Sequence, residues 1–232
     1  MTTNYEITLN TEEKLPILRV PPTDEGPLLV IIPSIFGISP DVVEFSERFA
    51  QEGALVYVLD SFWRSHPGPL QIPEQTQLAL QRRREVNPEN VFSDLIAAIE
   101  HGKSEALCNG SVILLGICFG GKFALSAPIT SEIQAVAAWH GGGLLSVLQS
   151  EGILSALQNV DIELDFGEAD PMIPLTEVQK IRGNLQNIAN VNIRTHPNSG
   201  HGFSHIGTAK GNEKAAKIAV KNMINLVTLY QK

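Results

Sequence analysis

The sequence predicts an α/β fold, with a mostly parallel central sheet and helices on both of its faces. Three observations carry that reading. Short, β-branched apolar runs recur along the chain, and LLVIIP at 28–33 is a strong example. Stretches of helical period lie between them. The runs are near-continuous and do not alternate, which is the pattern of strands buried on both faces.

Taken in order, residues 5–10 and 15–20 predict an N-terminal hairpin, followed by the strand at 28–33. The amphipathic segment DVVEFSERFAQEG (41–53) predicts a helix stopped by a glycine, before the strand ALVYVLD at 54–60. SVILLG (111–116), AVAAWH (135–140), DIELDFG (161–167) and VNIRTHP (191–197) complete the strands. Helices are expected over 75–86, 88–104, 119–131, 174–188 and 210–230, with Asn87 capping the second and Pro88 in its first turn.

At 232 residues, with 43% hydrophobic and 18% charged, the chain suits one globular domain spanning 1–232. A net charge of −8 offers no footprint for a nucleic-acid backbone and no polybasic segment for an anionic membrane. No apolar run is long enough to span a bilayer, and the N-terminus does not read as a secretory signal. Two cysteines make no disulfide scaffold, so a cytoplasmic setting is expected.

Ligands of such sheets bind beyond the carboxyl ends of the strands, so functional residues are sought there. Gly116-Ile117-Cys118-Phe119-Gly120 follows a strand and opens a helix, fitting the cysteine form of a nucleophile elbow. Gly116 and Gly120 remove the side chains that would collide across so tight a turn, leaving Cys118 exposed on a strained backbone. A helix N-terminus beneath the sulfur and a nearby histidine favour its anionic, nucleophilic form. Cys108, in EALCNGS, has no glycine brackets and is expected to be passive.

The chain order nucleophile, acid, base then points to Asp170, just past the strand DIELDFG, and to His201, between Gly200 and Gly202. Asp165 and Glu168 are the rival acids. His196, His201 and His205 fit no zinc spacing, so neither metal nor cofactor is expected.

These pieces together resemble the dienelactone hydrolase family of α/β-hydrolases. The matching segments are IIPSIFGISP (31–40), ALVYVLDSFWR (54–64), LLGICFGGKFAL (114–125), FGEADPMIP (166–174) and SGHGF (199–203). The resemblance implies an α/β-hydrolase fold without a large lid. It implies hydrolysis of a small ester or lactone through an acyl-cysteine. The family's triad falls on Cys118, Asp170 and His201, and its oxyanion donors on the backbone N–H groups of Ile35 and Phe119.

Two positions depart from the family pattern. Ser34 stands where a glutamate usually precedes the IFG segment, and a hydroxyl cannot act as a carboxylate. His205 stands where an arginine grips the substrate carboxylate in the dienelactone-cleaving enzymes, and imidazole lacks the guanidinium fork. Ser34, Phe36, Trp63, Arg64, Trp139, His140 and His205 are expected around the pocket. Core packing is the competing reading for Trp139. Arg82, Arg83 and Arg84 read as a solvated basic helix face. A monomer or small homo-oligomer is expected. The rival functions are a weakly active or inactive small-molecule-binding protein, or a redox sensor built on Cys118.

Overall fold

The structure is a computed structural model that describes residues 2–231. Its centre is one eight-stranded sheet in the order β1-β2-β4-β3-β5-β6-β7-β8. β1 (Thr3–Thr8) and β2 (Lys14–Val20) form the expected hairpin, and β2 runs antiparallel to β4 (Leu55–Leu59). From β4 onward every pairing is parallel, through β3 (Gly26–Ile32), β5 (Cys108–Ile117), β6 (Ala135–Trp139), β7 (Asp161–Gly167) and β8 (Val191–His196).

The central strands are apolar on both faces because both faces are covered. Along β3, Leu28, Val30 and Ile32 enter one core layer, while Leu29 and Ile31 enter the other. The first layer is closed by α2 (Thr76–Glu85), α3 (Pro88–Lys103), α4 (Gly121–Ser126), α5 (Leu144–Leu148), α6 (Ile153–Ala156) and α7 (Leu175–Leu185). The second is closed by α1 (Pro40–Gln51) and α8 (Glu213–Leu229), whose Phe45, Phe49, Met223 and Val227 are buried there. The expected α/β-hydrolase architecture is therefore present, with helices on both faces. Asn87 caps α3 by accepting the Glu89 N–H at 2.9 Å.

Two local differences have physical causes. The helix expected over 119–131 is split into a 3-10 turn at Cys118–Gly120, α4 and a second 3-10 turn at Ala127–Ile129, where Pro128 cannot continue an α-helix. α5 and α6 were not expected. Each follows a left-handed glycine (Gly143 and Gly152), and neither is long enough to display a helical period. No helix among the described residues is long and apolar enough to cross a membrane.

Candidate active site

β5 delivers Cys118 to the carboxyl end of the sheet. Its φ of +52° lies in the left-handed region that non-glycine residues rarely adopt. The flanking glycines make the turn possible. A Cβ on Gly116 would stand 2.5 Å from the Gly121 Cα, and one on Gly120 would stand 2.0 Å from the Ile32 carbonyl oxygen. The tightness is thus partly within the turn and partly against the neighbouring strand β3.

β7 and β8 deliver the other two groups in their following turns. His201 Nε2 lies 3.1 Å from Cys118 Sγ, and His201 Nδ1 lies 2.8 Å from Asp170 Oδ2. The second Asp170 oxygen accepts the N–H groups of Met172 and Ile173, at 2.8 and 3.2 Å. The carboxylate is fixed in its own turn, and the histidine is fixed by the carboxylate. Burial disfavours a charged His201. The Asp170 hydrogen bond and the adjacent Cys118 outweigh it, and the imidazole is pushed up to about 9. At neutral pH this arrangement holds an imidazolium against the sulfur.

The rival acids are occupied elsewhere. Asp165 pairs with His196 Nε2 at 2.8 Å, and Glu168 accepts from the Thr195 hydroxyl at 3.1 Å. Cys108 sits at the start of β5, at the opposite end of that strand from Cys118.

A cavity of about 430 Å³ opens over Cys118 and His201. Phe119, Lys122, Val147, Met172 and Arg83 are among the residues lining it. None of Ser34, Phe36, Trp63, Arg64, Trp139, His140 and His205, the pocket residues expected from sequence, is among the residues lining this cavity. Trp139 packs edge-on against Phe45 in the core, with ring centroids 5.4 Å apart. Trp63 donates its indole N–H to Asp94 at 2.9 Å. Arg64 is held by Asp94 and Glu13 and does not line the cavity. Ser34 is buried, and its hydroxyl oxygen accepts the Phe36 N–H at 3.2 Å. Phe36 is buried beside His205, and His205 Nδ1 is turned to Asp41 at 3.0 Å.

His140 lies behind the sulfur. It is the first residue past β6, fully buried, with its ring 5.0 Å from that of His201 and its Nε2 2.8 Å from the Ser204 hydroxyl. Cys118, His140 and His201 each place a potential ligand atom within 4.8 Å of the others. Burial, and then the neighbouring His201 and His205, hold His140 well below the ordinary histidine range, so it is a neutral wall.

Arg82 corrects the reading of 82–84 as a solvated face. Its side chain is fully buried, donating to the carbonyl oxygens of Ile35 (2.7 Å), His66 (2.9 Å) and Gly68 (2.9 Å). It ties the segment after β3 to the segment after β4. Burial lowers it to about 10, which still leaves it charged at neutral pH. Arg83, one residue on, faces the cavity beside Lys122, whose ammonium is pulled below its usual value by burial and then by Arg83. Nothing in the local sequence separates these two arginines, because α2 has no clear amphipathic period.

A thiol, an imidazole and a carboxylate in one relay, at the strand ends of a mostly parallel sheet, define an α/β-hydrolase. The sequence profile of the Dienelactone hydrolase family matches residues 17–231, and the chain belongs to that family. Among its relatives, the carboxymethylenebutenolidase of Pseudomonas sp. (strain P51) is 26% identical over 206 residues, covering 87% of this chain and 84% of the relative. Carboxymethylenebutenolidase 1 of Cupriavidus pinatubonensis is 32% identical over 130 residues, covering 55% of this chain and 56% of the relative. The solved dienelactone hydrolase of Anabaena variabilis shares the fold, with a TM-score of 0.69 and 19% identity over 100% of this chain and 99% of that one. The protein is accordingly a hydrolase of the dienelactone hydrolase family.

Proposed function

We propose that the protein cleaves small esters or lactones through an acyl-cysteine formed on Cys118. The observation that carries this is the unbroken Asp170–His201–Cys118 relay, with contacts of 2.8 and 3.1 Å, open to a cavity on its sulfur side. Family membership and the carboxymethylenebutenolidase relatives support the same substrate class.

In this reaction the Cys118 thiolate attacks the carbonyl carbon, and the π electrons move to oxygen. The N–H groups of Ile35 and Phe119 hold the oxyanion. Phe119 follows the nucleophile directly. Ile35 lies past the adjacent strand β3, with its carbonyl pinned by Arg82. The C–O bond breaks, and the His201 imidazolium protonates the departing oxygen. His201, now neutral, takes a proton from water, which attacks the thioester carbonyl. The thiolate leaves, the acid is released, and the relay is restored. Asp170 keeps the imidazole oriented and stabilises its cationic form throughout.

Ser34 is committed to a backbone N–H and His205 to Asp41, so neither reproduces the charged group found in the family. Besides His201, the charged side chains lining this cavity are Arg83, Lys122 and Glu177. The substrate therefore need not be a dienelactone. We read residues 1–232 as one catalytic domain, acting in the cytoplasm as a monomer or small homo-oligomer. The continuous eight-stranded sheet and the two free cysteines support that reading.

Turnover of p-nitrophenyl acetate and of a lactone panel, by the wild type and by Cys118→Ala, tests the proposal. Turnover lost in the variant is the expected result. Turnover unchanged by it contradicts the assignment of Cys118.

A further inference from the structure

A second depression adjoins the catalytic cavity. It lies between α3 and α4 as an open groove of about 680 Å³, and shares Lys122 and Val147 with the cavity over Cys118. Its walls are mainly apolar. Phe92 and Ile96 are four residues apart on one face of α3, Phe123 comes from α4, and Pro88 also lines the groove. The Lys122 ammonium lies 4.7 Å from the Phe123 ring centroid, so its stem runs along the boundary between the two spaces. The catalytic cavity is walled partly by charge, whereas the adjoining groove exposes mostly hydrocarbon, with Glu89 and Lys122 as its charged lining residues.

We infer that the groove is a substrate subsite for a linear apolar chain carried by the ester whose carbonyl reaches Cys118. This inference rests on the acyl-cysteine reading. Val147 and Lys122 line both spaces, so one substrate that fills both lies across these two side chains. Each methylene buried there contributes up to about fourfold in kcat/KM.

Two substrate series locate the chain: p-nitrophenyl esters from acetate to octanoate, and acetate esters from methyl to octyl. Each is measured on the wild type, on Ile96→Asp, which places a charge in the groove, and on Ser93→Trp, which fills it from an exposed helix position. The wild type is expected to gain at least about tenfold in kcat/KM along one series, which identifies the acyl or the alcohol side. Both variants are expected to flatten that gain to within about twofold, and to keep turnover of the shortest ester. A wild type without the gain, or variants that retain it, overturns the subsite. Absence of turnover on every ester by the wild type counts instead against the acyl-cysteine reading.

Discussion

Two aspartate–histidine pairs stand close together at the end of this sheet. Asp165 and His196 lie 31 residues apart in sequence and 2.8 Å apart in space, and so do Asp170 and His201. They differ in where they fall along the strands. Asp165 lies within β7 and His196 ends β8, so their side chains are enclosed by neighbouring elements, with 1% and 5% exposed. Asp170 and His201 lie in the turns beyond those strands, where His201 keeps 15% exposure and turns its other nitrogen to Cys118. The same two side chains thus brace a sheet in one place and stand in a relay beside the Cys118 sulfur in the other. Reach beyond the strand end decides which.

Replacing each histidine tests that contrast with the largest expected effect. His201→Ala should lower ester turnover roughly 10⁴–10⁶-fold, because the relay acts as a unit. His196→Ala should leave turnover per folded molecule within about threefold and reduce stability, since it leaves a buried carboxylate without its partner. Steady-state kinetics beside urea denaturation separates the two outcomes.

The aspartates should divide in the same way, with smaller effects. Asp170→Asn disturbs the tautomer and orientation of His201 and should lower kcat roughly 10²–10⁴-fold. Asp165→Asn should leave kcat nearly unchanged and cost about 1–3 kcal/mol of unfolding free energy by disturbing a buried hydrogen bond. A kcat loss in Asp165→Asn matching that of Asp170→Asn would erase the distinction.

The smallest effect is a shift in pH dependence. His201 is raised from 6.5 to about 9, so the imidazolium needed to protonate the leaving oxygen is lost as pH rises through about 9. The matching stability contribution is fully present below 6.5 and is lost over the same rise through about 9. Turnover should therefore decline on the alkaline side near 9, and Asp170→Asn should move that decline to lower pH, because a bond that favours the charged form is gone.

Much of this was legible in the sequence because it depends on local rules. The predicted hairpin and the six segments read as strands after it match the eight strands, and the two glycines around Cys118 stand where a Cβ would collide. Asp170 and His201 follow from chain order and from their positions just past strands. The missed features depend on what packs from elsewhere. Arg82 and Arg83 are neighbours in a helix rich in basic residues. Only the carbonyl oxygens of Ile35, His66 and Gly68 show that one is buried and the other faces the cavity. Arg64 reaches Asp94, 30 residues away, and so stays out of the pocket. Trp139 alternates to the face covered by α1, where Phe45 and Phe49 receive it.

Acyl transfer to Cys118 is directly visible by mass. The enzyme is mixed with a slowly deacylating p-nitrophenyl ester, quenched in acid within the first turnovers, and analysed by intact mass and peptide mapping. One added acyl group per chain is expected, on Cys118, accumulating at the rate of p-nitrophenol release. An acyl group on another residue, or rapid release from a chain whose Cys118 never carries one, would contradict it.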